Sequence, residues 1–241
     1  MNWDDHLALY AVIVPLLTAP LCILIGNRHV AWVLSLCASA VALFSSIGLL
    51  QQVAASGPIS YRLGGWAPPW GIEYRIDLLN AFVLLIVSAM AFWVLAYARR
   101  SVEKEIDAPR QAGFYSGLML VYAGLAGITT TGDAFNAFVF LEISALSSYV
   151  LISMGRDRRA LTAAFQYLVM GTIGATFILI GIGFLYMMTG TLNMADLAQH
   201  IPPVAQTRTV QTGFAFLSVG IALKLAMFPL HLWLPNAYAF A

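Results

Sequence analysis

The sequence predicts an all-α membrane protein of about seven transmembrane helices, with its N-terminus outside the cytoplasm and its seventh helix broken near Pro229. Three observations predict it. Of the 241 residues, 61% are hydrophobic and only 10% charged, whereas a soluble domain carries about 45–50% and about 25%. The apolar residues gather in seven long runs bounded by charge, Pro or Gly, near 7–26, 30–52, 77–98, 113–131, 134–154, 163–188 and 213–235. About 20 apolar residues cross a hydrocarbon core of about 30 Å. Backbone polar groups in lipid must pair within their own segment, so each run reads as a helix and not as an open strand. Lys and Arg are also lopsided: eight fall on one side (Arg28, Arg99, Arg100, Lys104, Arg110, Arg156, Arg158, Arg159) and three on the other (Arg62, Arg75, Arg208). The positive-inside rule puts the side with eight in the cytoplasm.

The elements follow in order. The N-terminal MNWDDH is acidic and lacks the basic start of a cleaved signal, so the first helix is expected to be retained. Pro15 and Pro20 are expected to kink it. Cys22 and Cys37 lie in separate runs and read as small packing residues, because a disulfide framework or metal site needs more thiols at closer spacing. The outer loop 53–76 holds Gly64, Gly65, Trp66, Pro68, Pro69 and Trp70, a composition suited to a tight interfacial turn with aromatic anchors. Asp77 and Asp133 open the third and fifth spans, where a carboxylate favours a helix N-terminus. Gly113 and Gly117 form a GxxxG in the fourth, and Gly171, Gly174, Gly181 and Gly183 line the sixth, as close helix packing requires. Gln166 and Thr172 in the sixth span are candidates for interhelical hydrogen bonds or a water path. Asn193, with Asp196 three residues on, marks the start of a short surface helix. Neither outer loop carries a phosphate-cradling or nucleophile motif, so both read as covers.

The net charge of +1 and the scatter of the twelve cations exclude a nucleic-acid groove, and no cofactor or metal motif is present in the sequence. One cation belongs to neither side. Lys224 lies about eleven residues into the seventh span, roughly 16 Å down, and Glu142 about eight residues into the fifth, roughly 12 Å down. Both helices run the same way, so the two charges are expected at nearly one depth. Each costs on the order of 3 kcal/mol at the centre of a membrane helix, which mutual pairing or a wet cavity offsets. The bland alternative is an ion pair that only fixes two helices together. Against it stands the responsiveness of the pair: desolvation disfavours the charged lysine and the carboxylate favours it, so small changes in distance change its protonation.

Pro229 removes a backbone donor and is expected to break the helix one turn past the lysine, as at transport sites lined by interrupted helices. His231, seven residues beyond Lys224, is expected near the same helix face and about 10 Å closer to the cytoplasm. There it either continues a proton path or hydrogen-bonds at the interface beside Trp233. Asp133, nine residues before Glu142, faces the other way and is not expected to be its direct partner.

FVFLEISALSSYVLI (138–152) and GIALKLAMFPLHLWLPNA (220–237) resemble the fifth and the broken seventh helices of the antiporter-like membrane subunits shared by Mrp-type cation/proton antiporters, respiratory complex I and membrane-bound hydrogenases. LGGWAPPWGIEYRID (63–77) and YLVMGTIGATFILIGIGFLY (167–186) resemble the D subunit of Mrp antiporters. The resemblance implies a fold of 14 helices with two inverted five-helix repeats, of which this sequence is the N-terminal half: a three-helix segment, 1–112, and helices four to seven of an incomplete first repeat, 113–241. It implies proton transfer through Glu142 and Lys224 in a multi-subunit monovalent cation/proton antiporter of the bacterial inner membrane. Other membrane subunits are its expected partners, and any redox activity would reside in them. The alternatives are a pumping subunit of an NADH:quinone oxidoreductase or hydrogenase complex, and a structural fragment that transports nothing.

Overall fold

A computed structural model describes residues 6–240. The acidic Met1–Asp5 and the final Ala241 lie outside them. Among the described residues six helices have the length and hydropathy of membrane spans: α1 (Leu7–Ile25), α2 (Arg28–Ser56), α3 (Leu78–Glu105), α4 (Gln111–Thr130, reached through a 3-10 turn), α5 (Ala134–Ser153) and α6 (Arg158–Thr189). A short α7 (Met194–His200) follows, then α8 (Arg208–Lys224) and α9 (Trp233–Phe240). The expected seventh span is divided between the last two. With 17 residues α8 is about 26 Å long, short of the hydrocarbon core by itself, and α9 follows after a break.

Local chemistry sets the ends. Gly26 closes α1 at φ +66°, in the left-handed region, and Asn27 caps α2 by accepting from the N–H groups of His29 and Val30. Asp77 caps α3 in a reciprocal box with Asn80, Asp133 caps α5, and Asn193 caps α7 as its spacing predicts. α1 runs through both its prolines.

The 53–76 loop is more ordered than a turn. Ile59–Arg62 (β1) and Glu73–Ile76 (β2) pair antiparallel with Ile59 opposite Ile76, an element the all-helical expectation lacks. Alternation explains it. Ile59, Tyr61, Tyr74 and Ile76 share one face and join the outer core with Leu7, Leu49 and Leu84, while Trp66 and Trp70 stay exposed at the tip. β2 is also stitched to the α4–α5 turn and the α6–α7 loop: Gly132 N–H donates to the Glu73 carbonyl and Met194 N–H to that of Gly132.

Small residues bring the helices together. Phe140 of α5 fills the notch at Gly127 of α4, where a Cβ would fall 2.3 Å from the ring. Gly117 faces Leu151 and Gly113 faces Met154, so the GxxxG does pack on α5. Gly174 and Gly181 of α6 meet Gly220 and Gly213 of α8 almost backbone to backbone; a Cβ on Gly220 would lie 2.7 Å from the Gly174 carbonyl oxygen. Gly183 faces open space and takes no part. The α6–α8 contact carries Lys224 to its site.

Candidate functional site

α5 and α8 present their charges to each other. The Lys224 ammonium donates to Glu142 Oε1 at 2.7 Å, with side-chain exposures of only 10% and 18%. The depth matching read from two helix starts thus ends in direct contact. The lysine stem lies over Gly174, where a Cβ would sit 3.5 Å from Lys224 Cγ, in ordinary contact.

The break spans Pro229, as expected, but begins earlier than expected. α8 stops at Lys224 itself, not one turn later. Ala226 adopts φ +52°; its N–H donates to Leu223 O at 3.2 Å and the Met227 N–H to Ala222 O at 3.0 Å. That pairing is the Schellman end, with alanine where glycine is usual. Residues 225–232 form turns, with a cis Phe228–Pro229 peptide, and Trp233 Nε1 donates back to Leu223 O at 3.1 Å, tying α9 to the last turn of α8. The ammonium therefore sits at the negative end of α8 as well as against a carboxylate.

The remaining candidates are placed as follows. His231 does not continue the helical face of Lys224, because the intervening chain is not helical; its half-buried ring stands 5.6 Å from that of Phe228, and its Nδ1 is buried without a partner among the described residues. Gln166 accepts from Asn236 Nδ2 at 2.8 Å, joining α6 to α9, and Thr172 bonds to the Leu168 carbonyl of its own helix. Asp77 and Asp133 serve as caps at the outer ends. Asp133 is 8% exposed, and burial pushes its carboxyl up from the usual carboxylate range against the pull of the Asn136 and Phe135 N–H groups.

Two groupings escaped the sequence. On the inner side, Tyr149 of α5 meets Tyr167 of α6 edge-on at 4.5 Å, and Tyr167 stacks on Trp233 at 4.1 Å. Tyr167 and Trp233 line a cavity of about 290 Å³ with Val121, Ser148 and Tyr238. The seven-residue step from Glu142 to Tyr149 was the available signal. On the outer side Glu73, 5% exposed, accepts from Asn193 Nδ2 at 2.7 Å and Ser60 Oγ at 2.5 Å. Nothing in the sequence marked it.

The site is thus a pair of opposite charges held between α5, a helix of membrane-span length, and α8, which ends on its lysine. Residues 131–241 match the family described as NADH:quinone oxidoreductase/Mrp antiporter, TM. The chain is 41% identical to NADH-quinone oxidoreductase subunit N of Desulforudis audaxviator (strain MP104C), over 98% of this chain and 47% of that one. It is 34% identical to the D subunit of the Na(+)/H(+) antiporter of Bacillus subtilis (strain 168), over 97% of this chain and 47% of that one. The fold matches a chain of the membrane-bound sulfane sulfur reductase, an archaeal respiratory membrane complex, with TM-score 0.89 and 30% identity over 98% of this chain and 48% of that one. The chain belongs to this family of antiporter-like membrane subunits. It spans about half the length of the curated relatives it matches.

Proposed function

We propose that this chain is a proton-translocating subunit of a multi-subunit monovalent cation/proton antiporter in the bacterial inner membrane, N-terminus outward, with other membrane subunits as partners. The observation that carries the reading is the 2.7 Å contact between Glu142 and Lys224 at the end of α8. At an effective dielectric of about 20, the attraction between unit charges falls from about 6 kcal/mol at contact to about 2–3 kcal/mol at about 7 Å. A movement of the break that draws the lysine away from Glu142 removes that attraction, and the proton leaves; return of the lysine recaptures one. Glu142 is the tuning partner and Lys224 the proton carrier. His231 continues the path toward the cytoplasm, and the turn at 225–232 is the flexible element. Helices α4 to α6 and α8 form the transport repeat on this reading, with α1 to α3 as its support.

The relatives also favour a second reading, the same module in a redox-driven pump. The relative of 41% identity is named as an oxidoreductase subunit, and the structural match belongs to a respiratory complex. The purified assembly, reconstituted in proteoliposomes with a pH-sensitive dye, separates the two. A Na⁺ or K⁺ jump that dissipates an imposed pH gradient supports the antiporter; acidification driven only by a reductant and quinone supports the pump. Lys224→Ala removes the response in either case. Wild-type flux in that variant overturns both readings and leaves a packing pair, and no flux from the wild-type assembly leaves a structural role.

A further inference from the structure

We propose that Tyr149 is a positioning residue for this pair: its buried phenol oxygen is the alternative acceptor that holds the Lys224 ammonium once Glu142 has released it. The inference rests on the reading of Glu142 and Lys224 given above. Tyr149 lies seven residues beyond Glu142, two turns along the same face of α5. It is only 5% exposed, and its hydroxyl has no hydrogen-bond partner among the described residues. Buried tyrosine hydroxyls usually have one. Packing does not explain the hydroxyl, because phenylalanine would give Tyr167 the same edge-on ring.

The surface of α6 shows where that hydroxyl belongs. A Cβ built on Gly171 would fall 1.8 Å from Tyr149 Oη, so α6 is cut away at the oxygen itself. One turn further out on the same helix, Gly174 receives Leu223 and the Gly220 carbonyl of α8 and touches the Lys224 stem at Cγ. Three residues of helix rise about 4.5 Å, which sets the phenol oxygen roughly one turn to the cytoplasmic side of that stem. Lysine swings on a flexible four-carbon chain without backbone movement. A phenol oxygen can accept from the ammonium while its own O–H donates onward. Beyond it lie Tyr167 and Trp233, which line the cytoplasmic cavity. The titratable groups that act on Tyr149 are Glu142 on its own helix and Tyr167 on α6, and Lys224 of α8 is held by that same Glu142. Of these, Lys224 alone combines a charge to be held with a stem long enough to change partners. The ammonium thus has two stations, Glu142 outward and Tyr149 inward.

The test is Tyr149→Phe in the complete assembly, read beside Glu142→Gln in the same preparation. The expected result is normal assembly, a melting temperature equal to or above wild type, and proton flux lowered about tenfold, the worth of one hydrogen bond to a charged group. The alkaline limb of the pH profile should also move to lower pH, since the ammonium has lost one of its two acceptors. Gly171→Ala, which fills the notch, should reproduce the loss of flux. Wild-type flux and pH profile in Tyr149→Phe overturn the inference, as does lost flux accompanied by a lower melting temperature, which marks a structural role. If Tyr149→Phe is normal while Glu142→Gln is inactive, only this inference falls; if Glu142→Gln is also normal, the reading beneath it falls too.

Discussion

Two carboxylates removed from bulk water, Glu73 at the outer face and Glu142 within the membrane, are satisfied in opposite ways. Glu73 accepts from the neutral groups of Ser60 in β1 and Asn193 at the start of α7, and its backbone carbonyl accepts from Gly132. Every partner is short, uncharged and anchored. Glu142 instead faces a lysine on a long stem, at the end of a helix whose continuation is broken, with a hydroxyl on the cytoplasmic side that has no partner among the described residues. A carboxylate held by rigid neutral donors is a strut, since no partner can leave without the fold opening. A carboxylate paired with one mobile charge can exchange it. Burial alone therefore does not identify a working acid; the freedom of its partner does.

The largest expected effect breaks the inner pair. Glu142→Ala leaves the ammonium uncompensated, should cost about 3 kcal/mol or more, and should abolish proton-coupled flux in reconstituted vesicles. Glu142→Gln keeps the shape and should lose flux with a smaller loss of stability, which thermal unfolding of the assembly would measure. Next, Glu73→Ala strands the Asn193 amide and the Ser60 hydroxyl. It should destabilise the outer face by about 2 kcal/mol and leave the pH profile of transport unchanged. Loss of transport in a still-assembled Glu73→Ala protein would break the distinction between strut and exchanger.

The two sites also differ in how plainly they appear in the sequence. Glu142 and Lys224 stand out because charge in an apolar run is rare, and counting residues from each helix start placed them at one depth. Glu73 lies in a loop where charge is ordinary, and it becomes buried only when Ser60 and Asn193, 13 and 120 residues away, converge on it. The hairpin was hidden for a related reason: each strand is four residues long, and the Gly, Pro and Trp between them signal a turn more strongly than the alternation signals strands. The break near Pro229 was legible, but not the residue at which α8 stops. Pro229 is a visible breaker, whereas the helix ends through an alanine at positive φ, which carries no mark in sequence. Tyr149 was passed over because a tyrosine on an apolar face ordinarily packs. The spans, by contrast, follow from hydropathy, and their ends agree with the structure to within a few residues except at the long cytoplasmic ends of α3 and α6 and at the divided seventh.

Smaller effects refine the contrast. Ala226→Gly removes the strain of a left-handed alanine at the end of α8 and should stabilise by about 0.5–1 kcal/mol after glycine's entropic cost. If the break is the moving part, flux should change as well, which vesicle assays at matched protein levels would record. The smallest effect concerns Asp133. Burial raises its carboxyl above the ordinary value of 3.8, so the folded protein holds that proton more tightly than the unfolded chain. Its contribution to stability is complete below that value and is lost as pH rises through the folded one. Asp133→Asn keeps an acceptor for the Asn136 N–H and should flatten this slope in acid unfolding curves, with little change in transport.

The central claim is that Glu142 and Lys224 act as one unit in moving protons. Proton flux through the complete assembly carrying Glu142→Gln, Lys224→Met or both tests it most directly. Residues acting as a unit are non-additive, so each single variant should collapse flux and the double variant should be no worse than the worse single one. Wild-type flux in either single variant, or deficits that multiply in the double, would contradict it.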